Sequence, residues 1–413
     1  MLEGGDFSSF GPSFLADQTR GELQWRDLPR DRDEARRCVR QSCPESPGVY
    51  GWLNAERQLI YVGKAKALRH RILGYLARTT ADPKMARIRA ASTALVWEPI
   101  ADELLALLRE QELIHRWRPE FNSQGQPTRR QPAFLCISDS AAPHVFLAKR
   151  LASSGYQQAF GPIAGTQRLA DSVQALNYVF GLRDCADKTK FEYGDQLRLF
   201  DEESRAGCLR FELGSCPGPC AALCTRPIYL ERVARAGQFL MEGNQAFLQQ
   251  LEARMVRAAE HRHYERAAML RDQLESLKRL ERQLQRLRVA ERTINGILPV
   301  TVNRGRQVWL AFRGARLISS VVQPRSRQQA VRALAELSRV ERESVPPARE
   351  ILEINLQLII AAWFRKHPGR LADLRDFPTI QAECAELQQR YDSRAAVEAS
   401  RAAVEPNSKP AFS

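Results

Sequence analysis

Tyr50 and Tyr61 stand eleven positions apart in two short apolar stretches, GVYGWL and QLIYVG. A dense basic run follows them: Lys64, Lys66, Arg69 and Arg71. A phenol can hold or pass a proton, and a guanidinium offers a planar fork to a phosphate. Together they suit phosphodiester cleavage, which needs a nucleophilic water, charge stabilisation and usually a divalent cation. In that chemistry Tyr61 acts as general acid/base or positions the water, and Tyr50 shares or orients that role. Gly63 lets backbone approach the phosphate. Lys64 lies near the start of the next helix, where free N–H groups favour anions; Lys66 and Arg69 add to the same phosphate approach. Arg71, one turn after Leu68, borders the buried face and is placed to clamp the scissile phosphate.

A cation needs a carboxylate. The spacing predicts a helix over 102–118, which starts at Asp102, stops at Pro119 and offers Glu103, Glu110 and Glu112. Glu110 shares a stripe with Leu107, Leu113, Ile114 and Trp117, where an unpaired carboxylate is costly. Glu103 lies on nearly the same face, two turns earlier, and Asn122 follows in a loop.

The elements that must position these groups are short. GVYGWL (48–53) and QLIYVG (58–63) read as a hairpin around Asn54-Ala55-Glu56-Arg57, a register that sets Tyr50 opposite Tyr61. Helices over 66–77 and 82–92, a strand over 94–100 and the helix over 102–118 complete a β-β-α-α-β-α unit. Strands at AFLCIS and HVFLAKR follow, then a helix near 167–180, a long helical region over 227–293, a hairpin of VWLAF and RLISSVV, and two helices over 327–365. In the sequence before 45, only DEARRCVRQ reads as a helix.

Five of the nine cysteines, Cys185, Cys208, Cys216, Cys220 and Cys224, fall within forty residues. Cys38, Cys43, Cys136 and Cys384 are scattered. Clustered thiols in a reducing compartment argue for a metal rather than disulfides, and the spacing does not choose between Zn²⁺ and an iron–sulfur cluster. The formal net charge of +14 suits a polyanion. No apolar run is long enough to span a bilayer and the N-terminus lacks a signal pattern, so we expect a cytoplasmic protein whose partner is nucleic acid and not membrane.

PGVY, IYVGKAKALRHR, ALLREQELIHRWRPEFN and FGPIAGT, in this order, resemble the UvrC family. These are the C subunits of the bacterial UvrABC excinuclease, within the GIY-YIG nuclease superfamily, and the resemblance runs from about 45 to about 290. Singly, strand tyrosines are packing residues and a basic run is a solvated face; the ordered set carries the resemblance. It implies a Mg²⁺- or Mn²⁺-dependent endonuclease of nucleotide excision repair and the SOS response to DNA damage. Such an enzyme cuts damaged double-stranded DNA 3′ of the lesion in concert with UvrB, and indirectly with UvrA. The implied catalytic set is Tyr50, Tyr61, Lys64, Arg71, Glu110 and Asn122, with Glu110 holding the metal and Asn122 closing the site. Carried onto LRDC and GCLRFELGSCPGPC, the resemblance implies a [4Fe-4S] cluster on Cys185, Cys208, Cys216 and Cys220. Cys224 is an alternative ligand, and Zn²⁺ is the alternative metal.

MVRAAEHRHYERAAMLRDQLESLKRL (255–280) resembles the UVR motif. That implies docking of a UvrB-like protein through Tyr264, Ala267, Ala268, Leu270 and Leu274. The region after 295 shows no Asp/Asp/His constellation and no helix-hairpin-helix signature, so the expectation is a shortened, Cho-like member with one active site. The expected class is multidomain α+β. Its parts are an N-terminal extension (1–44), a GIY-YIG nuclease domain (45–124), a linking α/β region (125–184) and a cysteine-rich region (185–226). A helical region with the UVR hairpin (227–293), a mixed α/β C-terminal region (294–387) and a disordered tail (388–413) follow. Two other readings are a non-catalytic UvrB-binding adaptor and a GIY-YIG nuclease outside repair. The tyrosine, arginine, glutamate and asparagine set argues against the first; the cysteines and the hairpin argue against the second.

Overall fold

The structure, a computed structural model, describes residues 7–77, 82–123, 132–186, 189–196, 208–302, 305–344, 348 and 350–404. The chain falls into two units: residues 1–126, 291–347 and 355–413 form one, and 127–290 with 348–354 form the other.

The first unit begins in the sequence that precedes the expected nuclease domain. β1 (Gln24–Asp27) and α1 (Arg32–Ser42) are followed by β2 (Gly48–Leu53), β3 (Leu59–Ala65), α2 (Leu68–Tyr75), α3 (Pro83–Ala90), β4 (Ala94–Pro99), α4 (Glu103–Trp117) and α5 (Glu120–Ser123). The four strands form one antiparallel sheet in the order β1-β4-β2-β3, so the extension supplies an edge strand. Tyr50, Trp52 and Trp97 share a core with Val39 of α1, Leu68, Ile72 and Tyr75 of α2, and Ile88 of α3. α4 packs along β2 and β3. It starts at the Asp102 cap, whose carboxylate accepts from the Leu104 N–H at 2.7 Å.

The extension is also strapped to this sheet by charge. Arg109 of α4 is fully buried. Its Nε donates to Glu98 at 3.0 Å, its Nη1 to Glu112 at 2.8 Å and to the Pro12 carbonyl at 3.0 Å, and its Nη2 to the Gly11 carbonyl at 2.9 Å.

The same unit contains β8 (Gly296–Thr301), β9 (Gln307–Arg313), β10 (Arg316–Val322), α11 (Arg327–Arg342), most of α12 (Ile351–Lys366), and α13 (Phe377–Val404). The sheet order is β10-β9-β8. Trp309 and Ala311 face Leu337 of α11 and Ile380 of α13, while Phe312 meets Phe364 of α12 edge-on at 5.7 Å. The expected disordered tail is therefore corrected: α13 continues to Val404, and only 405–413 lie outside the described residues.

The second unit has β5 (Pro132–Ser138), β6 (Val145–Ala148), β7 (Tyr156–Ala164), α6 (Thr166–Val179), α7 (Leu209–Glu212), α8 (Arg226–Glu242), α9 (Gln245–Glu260) and α10 (Tyr264–Thr293). Its sheet runs β6-β5-β7. One core joins this sheet to α6, α8 and the α9–α10 hairpin. No helix among the described residues is long and apolar enough to cross a membrane.

Candidate active site

β2 and β3 pair with a register shift between Trp52 and Leu53, beside a turn in which Arg57 takes a left-handed φ of 59°. The shift corrects the expected pairing. Tyr50 lies opposite Gly63, and Tyr61 opposite Trp52. The two tyrosines become diagonal neighbours on one face, with ring centroids 6.2 Å apart. Gly63 gives its space to Tyr50: a Cβ there would stand 2.6 Å from the phenol oxygen.

α2 brings two more groups onto this face. The hydroxyl of Tyr75 lies 3.1 Å from that of Tyr50, and Arg71 Nε donates to the Tyr50 oxygen at 3.2 Å. The Arg71 guanidinium also lies 5.6 Å from the centre of the Tyr75 ring. Burial pushes both the Tyr50 and Tyr75 phenols up from their ordinary range, so they stay neutral. Tyr61 is only half-buried and is the most accessible of the three phenols; Arg71 is exposed beyond its one bond. The Tyr75 hydroxyl is a site group that the sequence reading missed. The signal was there, since a buried tyrosine needs a partner for its O–H.

α4 supplies the acid. Glu110 Oε1 accepts the backbone N–H of Lys64 at 3.0 Å. Burial raises the Glu110 carboxyl to about 7, against the opposing pull of that hydrogen bond and of the Lys64 and Arg71 charges. The Arg71 interaction ties this carboxylate to the tyrosine cluster. Glu103, two turns earlier, takes the Lys64 ammonium at 3.0 Å and the Lys66 ammonium at 2.9 Å. Lys64 is thus held on both its backbone and its side chain by α4.

Asn122 and Arg69 do structural work in this arrangement. The Asn122 amide accepts from the Val62 N–H at 2.7 Å and donates to the Val62 carbonyl at 2.9 Å. It behaves as one residue of a fifth strand on the edge of β3, fixing the segment between Tyr61 and Gly63. Arg69 Nε donates to the Cys43 carbonyl at 2.7 Å and its Nη1 pairs with Glu45 at 2.7 Å, anchoring α2 to the loop before β2.

The residues fit a hard divalent cation. A single carboxylate, desolvated yet still partly accessible, suits Mg²⁺, which keeps most of its waters. Among the described residues no three His, Cys, Asp or Glu side chains converge to hold a metal ion.

That statement includes the cysteine region. Cys216 is raised by burial, with Cys208 and Cys185 adding, and Cys220 by burial, with Cys185 and Cys208 adding. Cys185 and Cys208 are thus within electrostatic reach of both Cys216 and Cys220, but the described thiols are not drawn together into a ligand set. Cys224 is buried in the core of the second unit and pushed up to about 11 by that burial.

The α9–α10 hairpin turns at His261–His263, where Arg262 takes a φ of 61°. Leu270 and Leu274, expected on a docking face, are buried in the unit's own core. Tyr264 is 67% exposed at the tip, with Ala267 and Ala268 half-buried beside it. The expected stripe faces inward because α9 already covers it.

Three family profiles match in chain order: a UvrC-like GIY-YIG domain over 46–123, the UvrC/Cho excinuclease middle domain over 133–239, and the UvrB/uvrC motif over 245–280. The UvrABC system protein C of Pseudomonas entomophila is 33% identical over 242 residues, covering 59% of this chain and 38% of that protein. The protein of the same name from Rhodopseudomonas palustris is 34% identical over 252 residues, covering 61% and 34%. The chain thus spans well under half the length of these relatives. Among solved structures, the GIY-YIG N-terminal endonuclease domain of UvrC from Thermotoga maritima, bound to magnesium as its catalytic cation, is 34% identical. It covers 21% of this chain and 96% of that one, with a TM-score of 0.19. With the three profiles in this order, and with a nuclease domain at 46–123, the chain belongs to the UvrC family.

Proposed function

We propose that this protein is a divalent-cation-dependent DNA endonuclease of nucleotide excision repair, which cuts the damaged strand 3′ of a lesion after a UvrB-like protein, loaded by UvrA, has marked it. The observation that carries this reading is the Tyr50–Arg71–Tyr75 hydrogen-bonded group standing within electrostatic reach of Glu110. A Mg²⁺ or Mn²⁺ held by Glu110 would supply charge stabilisation at the scissile phosphate. Arg71, fixed at Nε by the neutral Tyr50 phenol, keeps its outer nitrogens for a phosphate oxygen. Tyr61, the most accessible phenol, holds and orients the attacking water. Tyr75 relays the position of Tyr50 to α2. Lys64, seated by Glu103 and Glu110, keeps the end of β3 in place.

The test is incision of a duplex carrying one bulky lesion, each end of the damaged strand labelled differently, with UvrA, UvrB, ATP and Mg²⁺ present. A single cut on the 3′ side, lost in Tyr61→Phe and Glu110→Ala while DNA binding persists, is the expected result. Full activity of purified Glu110→Ala would remove the cation from that residue. Binding to UvrB without any cut by the wild-type chain would make it an adaptor.

For the cysteines we propose a [4Fe-4S] cluster on Cys185, Cys208, Cys216 and Cys220, supported by the electrostatic influence of Cys185 and Cys208 on both Cys216 and Cys220. Anaerobically purified protein is expected to carry iron and visible charge-transfer absorbance, both lost in Cys216→Ser. Zinc without iron would replace the cluster by a structural Zn²⁺ site. Action on DNA beside UvrB places the protein in the cytoplasm.

A further inference from the structure

The second unit contains a cleft of about 600 Å³ that the proposed cut does not use. Arg232 and Arg235 of α8, Arg254 of α9 and Arg266 of α10 line it. None of the four guanidiniums has an ion pair or hydrogen bond among the described residues. Neighbouring side chains on the same hairpin do pair: Lys278 with Glu252 at 3.0 Å, and Arg279 with Glu275 at 3.7 Å. Among the described residues, no acidic side chain lines the cleft. Four unpaired cations facing one hollow repel one another, so an anion brought there gains from all of them.

Three further observations narrow the anion. First, the floor is apolar and partly aromatic, with half-buried Tyr178 and exposed Met269 lying over a buried Phe180 that stacks on Phe247. A surface of that kind stacks a base. Second, Gln273 lines the same cleft, and its buried Oε1 has no donor among the described residues. A phosphate offers no proton, whereas a base or a sugar hydroxyl does. Third, a second hollow of about 360 Å³ adjoins the first, shares Arg254, Arg266 and Leu270 with it, and adds Arg257, His261 and His263. The basic track therefore continues along the hairpin, which fits a polymer better than a mononucleotide.

The backbone is arranged around one of these cations. Gly181, just past the end of α6, has a φ of +68°, and a Cβ on it would stand 2.2 Å from Arg232 Nη1. Arg232 thus lies across the C-terminal end of α6, where a cation is favoured.

We propose that this cleft binds a single strand of nucleic acid, phosphates on the arginines and an unpaired base on Tyr178 and Met269. A duplex cannot enter a concave site of this size without unpairing. The site is separate from the Tyr50–Glu110 group, and its test does not depend on cleavage.

The measurement is fluorescence anisotropy of a labelled 16-mer of thymidine and of a 16-base-pair duplex, on the full chain in EDTA. The variant Arg232→Gln/Arg235→Gln/Arg254→Gln/Arg266→Gln is compared with a charge-matched control, Arg37→Gln/Arg40→Gln/Arg332→Gln/Arg390→Gln, made at exposed positions elsewhere. The cleft variant is expected to lose at least tenfold in single-strand affinity. Its slope of log affinity against log salt should fall by about 0.7 for each contact removed. The control should change both quantities far less. A 5-iodouracil strand should crosslink to Tyr178 or Met269 in the wild-type chain, a readout that does not depend on the folding of any variant. Equal losses in the two variants, or crosslinks confined to the first unit, would overturn the proposal. So would a polyglutamate peptide that competes as well as the strand, since the cleft would then be a site for acidic peptides.

Discussion

At the residue scale, the candidate site works by shielding and by contact between unlike groups. Tyr50 is the pivot: it accepts from Arg71, meets Tyr75 and lies over Gly63. The glycine is required by the ring and not by the turn. Gly63→Ala is expected to cost about 1–3 kcal/mol, because a fully buried phenol has nowhere to retreat. The same methyl would push Tyr50 off Arg71, so incision should fall further than stability does. Chemical denaturation alongside the incision assay checks both; an alanine variant with wild-type stability and activity would show that the ring can move. These residues were legible in sequence as a set, but their contacts were not. The register shift after Trp52 is a backbone irregularity that leaves no trace in the alternation of apolar and polar residues. The Tyr75 hydroxyl was hidden inside a helical stripe that reads equally well as packing.

At the element scale, periodicity located most of the helices and the central strands, and it failed where composition and position compete. Ala and Glu near the end of the chain look like a disordered tail, yet both are strong helix formers. Phe377, Ile380 and Cys384 give α13 a face to bury against α11, and the helix then propagates. β7 is interrupted by Gly161-Pro162, and β8 carries Pro299, so neither reads as a clean strand. The α9–α10 hairpin shows the other kind of failure. Its 3–4 spacing is real, but spacing does not say which body fills the stripe. Leu270 and Leu274 belong to the unit's own core, which leaves the tip as the surface the proposed UvrB docking would use. Tyr264→Ala should therefore weaken UvrB binding by about tenfold, the loss of roughly 1.4 kcal/mol from a central aromatic contact, with no change in melting temperature. Leu274→Ala should lower the melting temperature instead, as cavity formation at a buried leucine does. Calorimetric titration with UvrB and a thermal melt on each variant separate the two effects; UvrB affinity that is indifferent to Tyr264 would move the docking surface elsewhere.

At the scale of the whole molecule, the feature least visible in sequence is the way residues 7–27 complete the nuclease sheet. The family's own domain starts at 46, and the stretch before it carries little hydrophobic pattern. Phe7, Phe10 and Leu15 are buried and β1 pairs with β4, and a buried charge network adds to both: Arg109 between Glu98 and Glu112, with backbone carbonyls of Gly11 and Pro12 completing its shell. Such a network becomes visible only once the extension and α4 are adjacent, because Gly11 and Pro12 lie 98 and 97 positions from Arg109. Ser13 and Arg116 add bonds from the extension side and the helix side, at 2.7 Å to Glu112 and 2.7 Å to the Phe10 carbonyl. Removing the central cation leaves two buried carboxylates facing each other, a defect that costs about 3–5 kcal/mol when nothing compensates. Here Arg20 remains on Glu98 and Arg116 on Glu112, so Arg109→Ala should fall at the lower end of that range. The extension should also come loose, since Gly11 and Pro12 lose their donor. Limited trypsin digestion reads this directly: cleavage at Arg20, which is held by Glu98 in the intact protein, is expected to accelerate in Arg109→Ala relative to cleavage elsewhere. A variant that is destabilised overall while Arg20 remains as protected as before would mean that β1 pairing and the buried Phe7, Phe10 and Leu15, and not the charge network, hold the extension to the sheet.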